Sequence, residues 1–86
     1  MEQQVKKTLE DLYGQLSSIH LENREKQDQL NEVVHSIRTI LDQPDSPQRL
    51  TLSERLTKSS LMFDVDHPYI SSSIHKAVDI LVDAGF

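Results

Sequence analysis

Apolar residues near the start of the chain recur at alternating spacings of four and three residues. This spacing places them on one side of an α-helix and predicts a helix over about residues 2–19 with one buried face. The residues of this stripe are Val5, Leu9, Leu12, Leu16 and Ile19. Two polar positions follow at the same spacing, Asn23 and Lys26, before apolar residues return and predict a second helix over about residues 23–42. These returning residues are Leu30, Val33, Ile37 and Ile40.

The polar interruption leaves two architectures open: one continuous helix, or a hairpin of two antiparallel helices. No glycine or proline occurs between residues 15 and 43, and Asn23 occupies a position where asparagine fixes the register of coiled coils. Both observations favour one helix. Val34 and Leu41 widen the second stripe, and residues 22–29 contain no apolar side chain, which favours packing of two helices against several neighbours. We interpret the pattern as a hairpin.

A linker over about residues 42–50 separates this hairpin from the C-terminal half of the chain. Pro44 and Pro47 prevent a helix from continuing through it. A shorter apolar stripe that includes Leu52 follows the linker. It predicts a third helix over about residues 52–64.

The last helix has clear start and stop signals in the sequence. His67 directly before Pro68 is typical of a helix start and predicts a helix over about residues 67–84. Gly85 is expected to close this helix, and Phe86 to fold back onto it. No segment alternates between apolar and polar residues with a period of two. We therefore predict an all-α fold, a small bundle made of the hairpin and two shorter helices.

Length and composition favour a self-associating protein. A chain of 86 residues forms a single domain, 1–86, with a thin core of its own. Small domains are often stabilised by disulfides, metals or partner subunits, and this chain contains no cysteine. We therefore expect a homo-oligomer, a dimer or a tetramer. The expected oligomer face consists of Val5, Leu9, Leu12, Leu16, Ile19, Leu30, Val33 and Ile37.

Charge and hydropathy argue against nucleic-acid and membrane partners. The net charge is −5, and the basic residues form no patch of the kind that phosphate backbones require. No stretch approaches the roughly 20 apolar residues that cross a bilayer. The N-terminal residues show no apolar run typical of a secretory signal. A cytoplasmic location is the expectation from this pattern.

No catalytic or metal-binding arrangement is apparent in the sequence. Glu32 and His35 have the Glu-x-x-His spacing of di-iron bundles, but the register of Leu30 and Val33 places both on the outer face of their helix. No serine has the glycine-framed surroundings of a nucleophile elbow. We therefore expect no enzyme activity, no metal and no cofactor. His67 remains a candidate functional residue because of its place at a helix start.

The C-terminal third has motifs that resemble a known family. They comprise Phe63-x-x-x-His67-Pro68, then Ala77-x-Asp79-x-Leu81, then Gly85-Phe86. This arrangement is similar to that of short gammaproteobacterial proteins classed as a domain of unknown function. The resemblance implies an all-α architecture and a bacterial cytoplasmic setting, and it implies no activity.

Two non-catalytic hypotheses lead from the sequence, and a third, ranked below them, is an enzyme or metal carrier that uses His35, His67 or His75. The first is a self-associating interaction module, indicated by the thin core and the amphipathic helices. The second is an adaptor or regulatory subunit that binds a helix of another protein in an apolar groove.

Overall fold

Four helices form a bundle in the computed structural model, which describes residues 2–86. They are α1 (Gln3–Ser17), α2 (Arg24–Asp42), α3 (Arg49–Ser60) and α4 (Pro68–Asp83). Residues 2–86 contain no β-strand. The all-α prediction is therefore confirmed.

The polar interruption in the apolar stripe is a turn between α1 and α2, so the hairpin interpretation is confirmed. Asn23 precedes α2, and its side-chain oxygen accepts a hydrogen bond from the backbone N–H of Lys26 at 3.0 Å. This is an N-terminal cap, which satisfies one of the free N–H groups of the first helical turn. The side chain of Gln27 accepts a second hydrogen bond, from the N–H of Leu21 in the turn. Asn23 is thus the last residue of the connection between α1 and α2, and it does not fix the register of a coiled coil.

The third helix begins earlier and ends earlier than the sequence pattern predicts. Its start at Arg49 follows a turn in which the carbonyl of Ser46 accepts from the N–H of Arg49 at 3.1 Å. The hydroxyl of Ser46 also accepts from the N–H of Gln48, at 3.3 Å. At the other end the chain leaves the α-helix in tight turns, one of which joins the N–H of Phe63 to the carbonyl of Ser60. Phe63 therefore enters the core from a turn.

Each helix packs against two neighbours in the bundle. Helix α1 lies beside α2 and α4, and α3 lies beside α2 and α4, whereas over the described residues no Cα atoms of opposite helices approach within 8 Å. Short connections make successive helices antiparallel, as in an up-down-up-down bundle. The core is built from all four helices and from Phe63. Its residues on the helices are Val5, Leu9, Leu12, Leu16, Leu30, Val33, Ile37, Ile40, Leu52, Leu56, Ile70, Ile74, Ala77 and Leu81.

The stripe expected to form an oligomer face lies inside a single chain, and this expectation is corrected. Its members are Val5, Leu9, Leu12, Leu16, Leu30, Val33 and Ile37, all buried, and Ile19, half-buried against the same core. The physical reason is that α3 and α4 complete the bundle and cover the apolar sides of α1 and α2. These side chains are therefore not available to a second copy in this fold.

The end of α4 shows the expected glycine closure. Gly85 has φ +93°, the left-handed region that favours glycine. The N–H of Phe86 bonds to the carbonyl of Leu81 at 2.9 Å, and that of Gly85 bonds to the carbonyl of Val82 at 3.1 Å. This pair of bonds defines a Schellman motif, and Phe86 packs against the core as its apolar contact. The prediction for these two residues is confirmed.

Candidate functional site

A groove between α2 and α3 is the surface feature that best combines apolar and charged side chains. It consists of two adjoining cavities of about 280 Å³ and about 420 Å³, which share Glu32 and Arg55. We call it the α2–α3 groove. Its residues are Gln29, Glu32, Val33, His35 and Ser36 on one side, and Gln48, Arg55, Lys58, Ser59 and Met62 on the other.

The floor of the α2–α3 groove is largely apolar, and its buried hydroxyl group already makes a hydrogen bond. Val33 and Ser59 are buried, and Met62 is half-buried. The hydroxyl of Ser59 donates to the carbonyl of Leu56 at 2.9 Å, as serines within helices commonly do. A helix or side chain placed in the groove would therefore meet Val33 and Met62 without having to satisfy this buried hydroxyl.

The rims of the α2–α3 groove have opposite charges. Glu32 lies on the α2 rim, and Arg55 and Lys58 lie on the α3 rim, with all three residues exposed. Lys58 is within 3.6 Å of Glu54 on the same helix, an exposed pair that contributes little to stability. Within residues 2–86, Glu32 and Arg55 form no ion pair. Arg55 is bonded through one N–H to the hydroxyl of Ser36, which is uncharged, so neither Glu32 nor Arg55 has a charged partner within the described residues.

Glu32 and His35 both lie on the solvent-facing side of α2, as the sequence register predicts. Each is exposed, and each lines the larger cavity of the groove. In the part of the chain that the structure describes, no three histidine, aspartate or glutamate residues lie close enough together to hold a metal ion. The Glu-x-x-His spacing therefore contributes a carboxylate and an imidazole to the rim of the groove.

His67 lies at the start of α4, outside the α2–α3 groove. Its ring is half-buried and makes edge contacts with Phe63 and Tyr69, with ring centroids 6.0 and 6.4 Å away. Its backbone carbonyl accepts from the N–H groups of Ile70 and Ser71, while its side chain forms no capping hydrogen bond. These contacts give His67 a packing role at the helix start.

The α3 side of the groove is not predicted by the sequence pattern. Arg55 and Ser59 are four residues apart and share one side of α3, and Met62 follows three residues later in the turn after the helix. Gln29, Val33 and Ser36 have the same spacings on α2. The matching spacings are visible in the sequence, but they indicate a groove only once α2 and α3 are known to be neighbours.

Exposed apolar side chains are concentrated in the C-terminal half of the molecule. Among the described residues, the large hydrophobic side chains exposed to solvent all lie on α3, on α4 or between them. They are Leu50, Leu61, Val65, Tyr69 and Val82. Leu61 directly follows the end of α3 and precedes Met62 of the groove in the chain.

These features define a small four-helix protein with a surface groove between two adjacent helices. The chain matches a family described as "Domain of unknown function (DUF4404)" over residues 5–86, and it belongs to this family. This confirms the resemblance seen in the C-terminal motifs at the level of a domain of unknown function. Comparisons with curated proteins and with solved structures find no match. Over residues 2–86, no helix has both the length and the apolar character needed to cross a membrane.

Proposed function

We propose that this chain is a non-catalytic interaction module that acts by self-association, as a dimer or a tetramer. The observation that supports this proposal best is the α2–α3 groove, with Val33 and Met62 on its floor and oppositely charged rims. Apolar surface framed by polar residues is typical of protein interaction sites. Glu32 and Arg55, which have no ion pair over residues 2–86, are suited to pairing with another protein surface.

The hydrogen bonds of the hydroxyl groups support a non-catalytic role. A serine nucleophile needs a neighbouring base that takes its proton. Ser59 and Ser60 instead donate to backbone carbonyls. No histidine side chain takes part in a hydrogen bond within the described residues. A Ser–His pair is therefore not formed in this arrangement.

We further propose that the partners are proteins and that the module works in the cytoplasm. A net charge of −5 disfavours binding to phosphate backbones and to anionic membrane surfaces. The lack of cysteine in the sequence is compatible with a reducing compartment.

Sedimentation velocity over a wide range of protein concentrations tests self-association. We expect the average mass to rise with concentration from one chain to two or four chains. A protein that remains strictly monomeric at high micromolar concentration would contradict the proposal. Circular dichroism on the same samples shows whether the helices are intact at each concentration.

A second candidate function is an adaptor that receives a helix of another protein in the α2–α3 groove. The observation that favours it is the shape of the groove, because a furrow between two adjacent helices accommodates a third helix. The test is a pull-down from the native host with the parent chain and with a Met62→Lys variant as baits. A partner that binds both baits equally, or neither bait, would count against this role for the groove.

A further inference from the structure

We infer that the occupant of the α2–α3 groove is a second copy of this chain, related to the first by a two-fold axis parallel to the helices. In this arrangement Glu32 of each copy faces Arg55 and Lys58 of the other. The inference rests on the proposed self-association and deepens it, because it names the face and the charge pairs that join the copies.

The position of the charges along the groove is the first argument. Glu32 and Arg55 line both cavities of the groove, and Lys58 lines one of them together with Glu32. The acidic rim on α2 and the basic rim on α3 therefore lie at the same height along the bundle. A two-fold rotation about an axis parallel to the helices keeps this height and places α2 of one copy over α3 of the other.

The symmetry makes the groove complementary to itself. In such an interface each contact occurs twice, because the same surface is used by both copies. Glu32 of the first copy meets the basic rim of the second, and Glu32 of the second copy meets the basic rim of the first. Rotation about an axis perpendicular to the helices would instead place α2 over α2 and bring the two Glu32 carboxylates to the same side. The charges therefore select the parallel axis.

The apolar floor and the size of the face are consistent with this pairing. Val33 and Met62 line the same cavity as Glu32 and Lys58, so the charge pairs would close over apolar surface. The bundle measures 34 × 20 × 19 Å. A face of 34 × 20 Å is smaller in outline than the roughly 800 Å² per partner that standard protein interfaces bury, so the pairing would use nearly all of it. Little has to be broken for the pairing, since only the exposed contact between Lys58 and Glu54 competes with it.

Charge reversal of single rim residues tests the inference. The variants are Glu32→Lys and Lys58→Glu, and the controls are Asp79→Lys and Lys7→Glu, which make the same charge changes at exposed positions outside the groove. The dissociation constant of the parent and of each variant is measured by sedimentation velocity at one ionic strength. We expect Glu32→Lys to associate roughly tenfold more weakly, since it replaces attraction to Arg55 and Lys58 by repulsion at two symmetric contacts. Lys58→Glu should weaken association less, because Arg55 still attracts Glu32, and the controls should change little.

Variants that combine the reversed charges show whether specific contacts across the interface, and not the net charge of the chain, determine association. The triple variant Glu32→Lys with Arg55→Glu and Lys58→Glu regains opposite charges at both contacts, as does an equal mixture of Glu32→Lys with the double variant Arg55→Glu and Lys58→Glu. We expect both to associate as tightly as the parent. Thermal unfolding by circular dichroism verifies that each variant keeps its helices.

The outcomes distinguish this inference from the function on which it rests. If the parent associates but the rim variants behave like the controls, the pairing is wrong while self-association stands. If the rim variants weaken association and the recombined charges do not restore it, the two-fold arrangement is overturned. A strictly monomeric parent would overturn both the pairing and self-association, and would leave the groove to a helix of another protein.

Discussion

The guanidinium of Arg55 donates a hydrogen bond to the hydroxyl of Ser36, with 2.9 Å between Nη1 and Oγ. Ser36 is buried on the α2 side of the groove, whereas Arg55 is an exposed residue of α3. The bond therefore joins an exposed side chain of α3 to a buried side chain of α2. It also holds the guanidinium over the groove, where its remaining N–H groups are open to a partner.

Removal of Arg55 and removal of Ser36 are expected to lower the free energy of unfolding by different amounts. Arg55→Met leaves the Ser36 hydroxyl buried without its donor, which costs about 1–3 kcal/mol in the free energy of unfolding. Ser36→Ala costs less than about 1 kcal/mol, because the exposed guanidinium can bind water instead. Urea unfolding of both single variants and of the double variant measures these values. A larger loss from Ser36→Ala than from Arg55→Met would contradict this view of the bond.

The helix hairpin could be predicted from the sequence because its signals are local. Residues 22–29 lack apolar side chains, and the cap formed by Asn23 depends only on residues within one turn. The closure by Gly85 is local in the same way, since one glycine in the left-handed region decides it. The start of α3 was mispredicted because Ser46 completes a turn through its backbone carbonyl, which has no sequence signal of its own.

The groove could not be predicted, and neither could the partner that covers the apolar stripe, because both depend on which helices become neighbours. The stripe that includes Leu9 and Ile37 specifies a buried side, but not whether the same chain or a second copy covers it. Likewise, Glu32 and Arg55 are 23 positions apart in the sequence and meet only because α2 packs beside α3. The sequence therefore contains the residues of the groove, but it does not show that they lie next to one another in the fold.

Removal of the α2 cap is expected to destabilise the protein by about 1 kcal/mol, the usual cost of replacing an N-cap asparagine by alanine. The variant is Asn23→Ala, and the matched control is Glu22→Ala at the preceding exposed position. For a domain of this size the loss corresponds to a decrease in Tm of about 4–8 °C. Thermal unfolding by circular dichroism measures both variants. Equal Tm values for the two would show that the cap seen at Asn23 contributes nothing.

The two glycines are expected to respond to alanine substitution in opposite directions. Gly14 lies within α1 with no atom near an added Cβ, so Gly14→Ala should stabilise the protein by about 0.5–1 kcal/mol through helix propensity. Gly85 has φ +93°, where a Cβ is strained, so Gly85→Ala should destabilise it by about 1–2 kcal/mol. Chemical denaturation measures both changes against the parent. Stabilisation by Gly85→Ala would show that the last turn does not depend on a left-handed residue.

Leu9 and Leu61 provide the sharpest test of which apolar residues hold one chain together. Leu9 is fully buried in the core, whereas Leu61 is 71% exposed beyond the end of α3. Leu9→Ala should lower the free energy of unfolding by about 2–5 kcal/mol, the range for leucine truncation in a packed core. Leu61→Ala should change it by no more than about 0.5 kcal/mol, as is usual at exposed positions.

The concentration dependence of these two variants separates the core from an oligomer face. A core residue acts within one chain, so the stability lost in Leu9→Ala should be the same at low and at high protein concentration. If the stripe on α1 joined two copies instead, Leu9→Ala would weaken association, and the loss would grow with the fraction of oligomer in the parent sample. Urea unfolding monitored by circular dichroism over a wide range of concentrations therefore decides between a self-contained bundle and one completed by a second chain.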